Sequence, residues 1–278
     1  LHLFAVFGKN RKKLDWTQTG KDTWKVFSNN EFFKIHYRIF AFEHTVRTNF
    51  LDTEYAFINP PAFFIYPKGM LAQNVEIIFK TEKYFSNIFS SISKKRKSVY
   101  FADSFHILYD SPFHLSNRGS HTFQSGACVH EVILEGEESG YSRKILKDLK
   151  KITDFEIRMM GECPNKKYLF IINMTDSSYG GLEHSSSSVN IFDPEKLTNK
   201  DEYVRLLGLL AHEYFHLWNV KRIRPIELDP FDYQNPVLTK ELWLAEGATS
   251  FYDNYVLLKC GFLNPEDYLA EIFQDIEA

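Results

Sequence analysis

The hydrophobic pattern of this chain changes near residue 140, and that change constrains the fold more than any other feature of the sequence. From Trp24 to about Tyr109, short β-rich runs such as residues 32–40 are separated by clusters of Asn, Pro, Gly and Lys, which is typical of strands and turns. From Tyr141 onward, apolar residues recur at spacings of three and four, which indicates amphipathic helices. The sequence therefore predicts an α+β protein that is β-rich first and helical later.

The length of the chain favours two domains. Its 278 residues exceed a typical domain of roughly 100–150 residues. We place the predicted boundary at the end of the β-rich half, which gives domains at residues 1–110 and 111–278. Because the chain starts at Leu1 rather than Met, we expect it to be trimmed or part of a longer protein.

Charge and composition exclude several classes of partner. A net charge of -3 provides no positive field for a phosphate backbone, so we expect no nucleic-acid partner, and the basic run Lys94–Lys97 is predicted to be a solvated loop. No stretch approaches the roughly 18 apolar residues of a membrane helix, so we expect no membrane span. No export signal is visible in this chain, and the sequence leaves the compartment open between cytoplasm and periplasm. The unrelated spacings of Cys128, Cys163 and Cys260 predict free thiols. No pattern indicates an oligomeric state.

The elements of the second half follow one another in a readable order. Strand signals, turn residues and helical periodicity alternate, and Thr198 and Thr239 are predicted to cap two of the helices. The predicted elements are a helix at 141–155, a buried strand at 168–172, a loop at 176–181, an edge strand at 181–184, a helix at 198–218, a helix at 240–259 and a last helix opening at 264–265.

The sequence His212-Glu213-Tyr214-Phe215-His216 lies near the end of the second of these helices. Residues four apart share one helical face, with about 5–6 Å between their Cβ atoms, so both imidazoles can bind one metal ion. Glu213 is rotated by about 100° from His212 and can address a metal-bound water without being a ligand. The spacing predicts His212 and His216 as zinc ligands and Glu213 as the catalytic base.

A third ligand is needed, because catalytic zinc usually takes three protein ligands and leaves one position open. The acidic candidates downstream are Glu227, Asp229, Asp232, Glu241 and Glu246. The first three lie in a Pro-rich connection that would hold a ligand less rigidly, and Glu241 is in a first helical turn, where an acid suits the helix dipole. Glu246 lies in an apolar stripe beside Gly247, which permits close approach of two helices. We therefore predict Glu246 as the third ligand.

With Glu246 included, residues 212–252 resemble the gluzincin metallopeptidases, in which H-E-x-x-H is followed by a glutamate in a W-L-x-E-G-like context. The run HEYFHLWNVKRIRP at 212–225 is similar to the extended signature of the glycyl aminopeptidase family, zinc exopeptidases that often carry a PDZ domain. YGGLEH at 179–184 is similar to that family's G-G-x-E-H motif. The resemblance implies an N-terminal β-rich domain, a thermolysin-like catalytic domain with a mixed sheet and helices, one zinc ion per chain, and release of an N-terminal Gly or Ala from peptides with a free N-terminus.

Glu183 lies on the predicted edge strand directly after Gly180 and Gly181, where the backbone can approach an extended peptide. Its carboxylate would pair with the free α-amino group of a substrate and fix the cut one residue from the N-terminus. We predict Glu183, Gly180 and Gly181 as substrate-binding residues. His184 is added to that set, with a role in capping the loop as its alternative.

The residues that follow H-E-x-x-H are predicted to support the site. Trp218 and Asn219 are candidates to pack behind the metal ligands. Lys221, Arg222 and Arg224 are predicted to form a solvated or ion-paired turn rather than to bind an anion.

The resemblance also concerns a residue that lies beyond the third ligand in related enzymes. Related enzymes supply an oxyanion-binding tyrosine from a helical region well beyond the third ligand, and this chain ends 32 residues after Glu246. We therefore expect a C-terminally truncated catalytic domain without that tyrosine or a PDZ domain. Three hypotheses about function remain open: a zinc aminopeptidase, a zinc endopeptidase, and a catalytically incomplete relative that binds peptides.

Overall fold

The structure is a computed structural model that describes residues 2–29, 32–136, 138 and 140–277. The backbone forms two compact units, Leu1–Phe42 and Glu43–Ala278. The domain boundary that we placed after residue 110 stays a prediction.

The first unit consists of short antiparallel strand pairs. Phe4 packs against the rings of Trp16 and Trp24, with ring centroids 4.8 and 5.0 Å apart. β1 pairs with β4 and β2 pairs with β3, the strands being β1 (His2–Phe7), β2 (Trp16–Gln18), β3 (Trp24–Val26) and β4 (Lys34–Arg38).

The second unit begins with a β-rich region of two antiparallel sheets. One sheet has the order β5-β6-β11-β8 and the other β7-β10-β9. The strands and the short helix beside them are β5 (Phe50–Leu51), β6 (Tyr55–Ile58), β7 (Val75–Ile78), β8 (Asn87–Phe89), β9 (Ser93–Arg96), β10 (Val99–Ala102), α1 (Phe105–Tyr109) and β11 (Phe113–Ser116). The predicted solvated loop at Lys94–Lys97 was wrong in form, because β9 pairs with β10, although its side chains are exposed as expected.

A five-stranded mixed sheet forms the centre of the second unit. Its order is β12-β13-β14-β16-β15, with β13, β14 and β16 parallel and the two outer strands antiparallel to their neighbours. The strands are β12 (His121–Ser125), β13 (Cys128–Glu135), β14 (Lys167–Met174), β15 (Gly180–His184) and β16 (Ser187–Phe192). The predicted edge strand is β15.

Both faces of this sheet are covered, which explains the continuous apolar run of β14. One face packs against the helices α2 (Ser142–Met160) and α3 (Lys200–Phe215). The other face packs against residues of the β-rich region such as Val46 and Phe57. Leu207 and Leu210 of α3 pack in the core between this helix and the sheet, and His212 and His216 lie at the C-terminal end of the same helix.

Two helices differ in detail from the sequence prediction. Asn199, not Thr198, caps α3: its Oδ1 accepts hydrogen bonds from the N–H groups of Asp201 and Glu202, whereas Thr198 ends the preceding 3-10 turn. The helix predicted at 240–259 begins at Leu242, and its first part is a π-helical turn at Trp243–Gly247 that continues directly into α4 (Ala248–Lys259).

The last helix, α5 (Pro265–Glu277), starts where the sequence predicted it. None of the helices within the described residues is long and apolar enough to cross a membrane. The α+β fold class is confirmed, with a β-rich N-terminal region followed by a mixed sheet and helices.

Candidate active site

Helix α3 brings three of the predicted residues together beside β15. The rings of His212 and His216 lie 4.7 Å apart at an interplanar angle of 88°. His216 is buried and His212 is 20% exposed, so the pair of rings lies where the core meets solvent.

Each histidine is oriented through its Nδ1 atom. His212 Nδ1 lies 2.8 Å from a carboxylate oxygen of Asp253, and His216 Nδ1 donates to the backbone oxygen of Asn219 at 2.7 Å. Both partners are acceptors, so each Nδ1 carries a proton, and Nε2 is the ring atom that faces Glu246. Both imidazoles are therefore prepared to bind a metal ion through Nε2.

Glu246 reaches the same point from the π-helical turn. Its Oε2 lies 3.4 Å from His212 Nε2 and 3.7 Å from His216 Nε2. The ligand atoms of the three residues all lie within 4.8 Å of one another. The Glu246 side chain is 58% exposed, so this candidate ligand stays in contact with solvent.

The side chain of Asn219 holds the π-helical turn in place. Its amide nitrogen donates to the backbone oxygens of Leu244 at 2.8 Å and Ala245 at 3.3 Å, and lies 3.1 Å from Thr249 Oγ1. Thr249 donates in turn to Ala245 O at 2.7 Å. Asn219 thus connects the backbone after His216 with the turn that carries Glu246. The sequence suggested Asn219 as a support but gave no sign of the π-helical turn.

Glu213 lies against the backbone of Gly181. A Cβ atom at position 181 would lie only 2.0 Å from Glu213 Oε1, so the Glu213 side chain occupies the space that a side chain at 181 would need. Burial raises the pKa of Glu213 to about 8, and the charges of Glu183 and Glu246 act in the same direction. Its Oε2 is buried and has no hydrogen-bond partner among the described residues. A buried carboxylate oxygen without a hydrogen-bond partner, in a group with a shifted pKa, is typical of a functional site that binds a ligand.

Glu183 lies close to Glu213 and His216. Polar atoms of Glu183, Glu213 and His216 all lie within 4.8 Å of one another. Gly180, with φ +151, takes a conformation that other residues rarely adopt, and it starts the strand that carries Glu183. His184 is buried, and its Nδ1 lies 3.3 Å from Asp110 Oδ1.

The structure therefore brings His212, Glu213, His216, Glu246 and Glu183 together, with Gly181 beside Glu213, while His184 contacts Asp110. The sequence reasoning missed Asp253, although its position seven residues after Glu246 on one helix is a signal that could have been used. It also missed Asp110, which lies far away in the sequence. Of the two options left open for Lys221, the structure favours the ion-paired one.

His212, His216 and Glu246 can together hold a divalent cation. Two imidazole nitrogens and one carboxylate oxygen are a donor set typical of catalytic zinc sites. Burial alone would lower the pKa of His212, but hydrogen bonds to the carboxylates of Asp253 and Glu246 raise it to about 10. The raised pKa of His212 reflects a negative local electrostatic potential, which a bound cation would neutralise. An H-E-x-x-H helix with a carboxylate as the third candidate ligand is typical of zinc metalloproteases.

Comparison with protein families agrees with this class. A profile described as M61 glycyl aminopeptidase matches residues 205–278, and a profile described as the peptidase M61 N-terminal domain matches residues 1–117. The two matches together cover more than half of the chain, which therefore belongs to the M61 glycyl aminopeptidase family. The family predicted from the sequence motifs is confirmed.

Two solved structures are similar to this chain. A crystal structure of an aminopeptidase N family protein from Idiomarina loihiensis has 25% sequence identity and a TM-score of 0.88, and the match covers 96% of this chain and 47% of that one. Aminopeptidase A of Legionella pneumophila, solved with aspartic acid, has 14% identity and a TM-score of 0.58, covering 92% of this chain and 33% of that one, and shares the fold. The chain thus spans half or less of the length of these proteins. A search of curated protein sequences found no match.

Proposed function

We propose that this chain carries the zinc site of an aminopeptidase that releases the N-terminal residue of peptides. The observation that carries the proposal is the meeting of three potential metal ligands, His212, His216 and Glu246, beside the unpaired carboxylate oxygen of Glu213. One zinc ion held by these three residues would polarise the scissile carbonyl and acidify the attacking water.

Glu213 would act as the general base and acid of the reaction. Its Oε2 is free to accept a proton from the attacking water and to return it to the leaving amine. The carboxylate is held in one place by the Gly181 backbone on one side and by burial on the other. Glu213 would not be a metal ligand, because its rotation along α3 differs from that of the two histidines.

Glu183 would bind the α-ammonium group of the substrate. It lies at the edge of the sheet, where an extended peptide can pair with the backbone of β15. A carboxylate at this point neutralises a free N-terminus but offers nothing to an internal peptide segment. This favours an exopeptidase over an endopeptidase. Preference for N-terminal Gly or Ala is proposed from family membership alone.

The role of Glu213 is tested by the variant Glu213→Gln. We expect zinc content to stay near one ion per chain and turnover of a glycyl substrate to fall by about 10²–10⁴-fold, because the variant cannot accept the proton. Elemental analysis and steady-state kinetics measure the two effects. Glu266→Gln, on the exposed face of α5, is the matched control and should change neither.

Three results would contradict the proposal. Near-full turnover by Glu213→Gln would exclude the base mechanism, and wild-type protein that takes up no metal would instead support a peptide-binding relative. Equal cleavage of free-amine and N-acetylated versions of one substrate would support an endopeptidase, since only the exopeptidase needs a charged amine beside Glu183.

A further inference from the structure

Lys221 is a buried cation between two carboxylates. Its side chain is only 9% exposed, and its Nζ lies 3.1 Å from Asp110 Oδ1 and 4.0 Å from Glu183 Oε1. Lysine is rarely buried to this extent unless its charge is paired. The position of the ammonium group is therefore set by Asp110 and Glu183 together.

Asp110 is itself firmly held. It is the residue that ends α1, its Oδ2 accepts from the backbone N–H of Ser185 at 2.8 Å, and its Oδ1 lies 3.3 Å from His184 Nδ1. Burial opposes the ionisation of Asp110, but the hydrogen bond with His184 and the charge of Lys221 keep its pKa well below the usual range. Asp110 thus fixes the end of β15 and the Lys221 ammonium group at once.

This arrangement leaves the charge of Glu183 available. The shorter contact pairs Lys221 with Asp110, so the charge of the lysine is largely balanced before it meets Glu183. The longer contact, at 4.0 Å, is close enough to favour one orientation of the Glu183 carboxylate without a full ion pair. A second cation can still bind to that carboxylate.

We propose that Lys221, anchored by Asp110, is a positioning residue that orients the Glu183 carboxylate toward the α-ammonium group of the substrate. The inference rests on the proposed function, because it assumes that Glu183 binds that group. It assigns Lys221 no contact with the substrate. The Asp110–Lys221 pair would act only on ligands that carry a free amine.

The test compares two small hydroxamates that differ in the amine, glycine hydroxamate and acetohydroxamate, as ligands of the zinc-loaded full chain. Titration calorimetry gives both dissociation constants for wild type, Lys221→Met, Lys221→Arg and Asp110→Asn. We expect Lys221→Met to weaken glycine hydroxamate by about tenfold, the effect of one charged contact, and acetohydroxamate by less than about twofold. Lys221→Arg should recover most of the difference, and Asp110→Asn should resemble Lys221→Met.

Arg224→Met is the matched control, because Arg224 lies in the same turn but pairs with the exposed Asp229. It should leave both constants unchanged. If Lys221→Met weakens the two ligands equally, or retains the wild-type preference for the amine, Lys221 does not position Glu183 and the inference is overturned while the proposed function stands. A wild-type protein that binds zinc but does not distinguish the two hydroxamates would overturn the role of Glu183 and this inference together.

Discussion

At the scale of single residues, the contact between Gly181 and Glu213 explains why a residue without a side chain belongs to the site. The Glu213 carboxylate occupies the space that a Cβ atom at position 181 would need. The glycine pair was noticed in the sequence because glycine lets a ligand approach the backbone. The structure gives a different reason for Gly181, since the group that approaches it is the proposed catalytic base of the chain itself.

The variant Gly181→Ala should therefore impair catalysis more than folding. The added methyl group would push the Glu213 carboxylate from its place, and a displacement of about 1 Å costs on the order of 10²-fold in rate. Turnover of a glycyl substrate measures the effect, with the unfolding temperature measured in parallel. Gly119→Ala is the control, because no atom lies within 4 Å of its added Cβ. Wild-type turnover by Gly181→Ala would show that the carboxylate can move freely.

At the scale of elements, the π-helical turn at Trp243–Gly247 decides where the third ligand points. A π turn is less favourable than an α-helical one and occurs mostly at functional sites. Here its widened backbone is stabilised from outside by the Asn219 amide, which donates to two of its carbonyl oxygens. The ligand set thus depends on a hydrogen bond between two segments that the sequence separates by 25 residues.

Asn219→Ala should loosen this turn and weaken metal binding. The variant removes the hydrogen-bond donor from two carbonyl oxygens of the turn, which costs roughly 1–3 kcal/mol of unfolding free energy. Because Glu246 is then free to move, metal affinity should fall by about 10–100-fold. Denaturant unfolding and competition with a chelator measure the two quantities. Asn235→Ala, which loses an exposed bond to Asp232, should change the unfolding free energy by less than about 0.5 kcal/mol. If Asn219→Ala loses stability but keeps its metal affinity, the amide supports the fold and not the ligand.

At the scale of the whole molecule, Glu135 connects the central sheet of the second unit with its four-stranded sheet. It lies at the end of β13, and it accepts from His114 Nε2 of β11 at 3.0 Å and from Arg118 Nε at 3.1 Å. Burial opposes the ionisation of Glu135, but the hydrogen bond from His114, assisted by Ser116 and the charge of Arg118, lowers its pKa. The central sheet and the four-stranded sheet therefore share a buried charged contact.

This contact predicts a stability difference that depends on pH. The pKa of Glu135 is lower in the folded than in the unfolded chain, so its stabilisation is complete above the unfolded value of about 4.3 and is lost as the pH falls through the folded value. Glu135→Gln should cost about 1–3 kcal/mol of unfolding free energy at pH 7, with a smaller difference from wild type near pH 3. Denaturant unfolding at both pH values measures it. Glu76→Gln is the control: it alters an exposed pair with Lys95 and should have little effect on the unfolding free energy at either pH. If Glu135→Gln lowers the unfolding free energy by the same amount at both pH values, the shifted pKa of Glu135 is not the cause.

The parts of the structure that could be predicted from the sequence are those determined by near neighbours. The spacing of His212 and His216 places both on one helical face, and the apolar run of β14 indicates a buried strand. Lys221 and Asp110, which form an ion pair, lie 111 positions apart, and no local sequence pattern predicts this pair. The π-helical turn was missed for a similar reason, because the Asn219 side chain that stabilises it lies outside the turn. Contacts of this kind depend on the folded arrangement of elements rather than on propensity.

His212 is contacted at both ring nitrogens by a single stretch of chain, with Glu246 at Nε2 and Asp253 at Nδ1. Each residue added to or removed from a helix rotates everything beyond it by about 100°. An insertion between 246 and 253 would therefore turn one of the two carboxylates away from the ring, whereas an insertion in the Pro-rich connection at 225–240 would leave both in register. Homologous chains can thus differ in the length of that connection, but the count of residues from Glu246 to Asp253 has to be inherited unchanged.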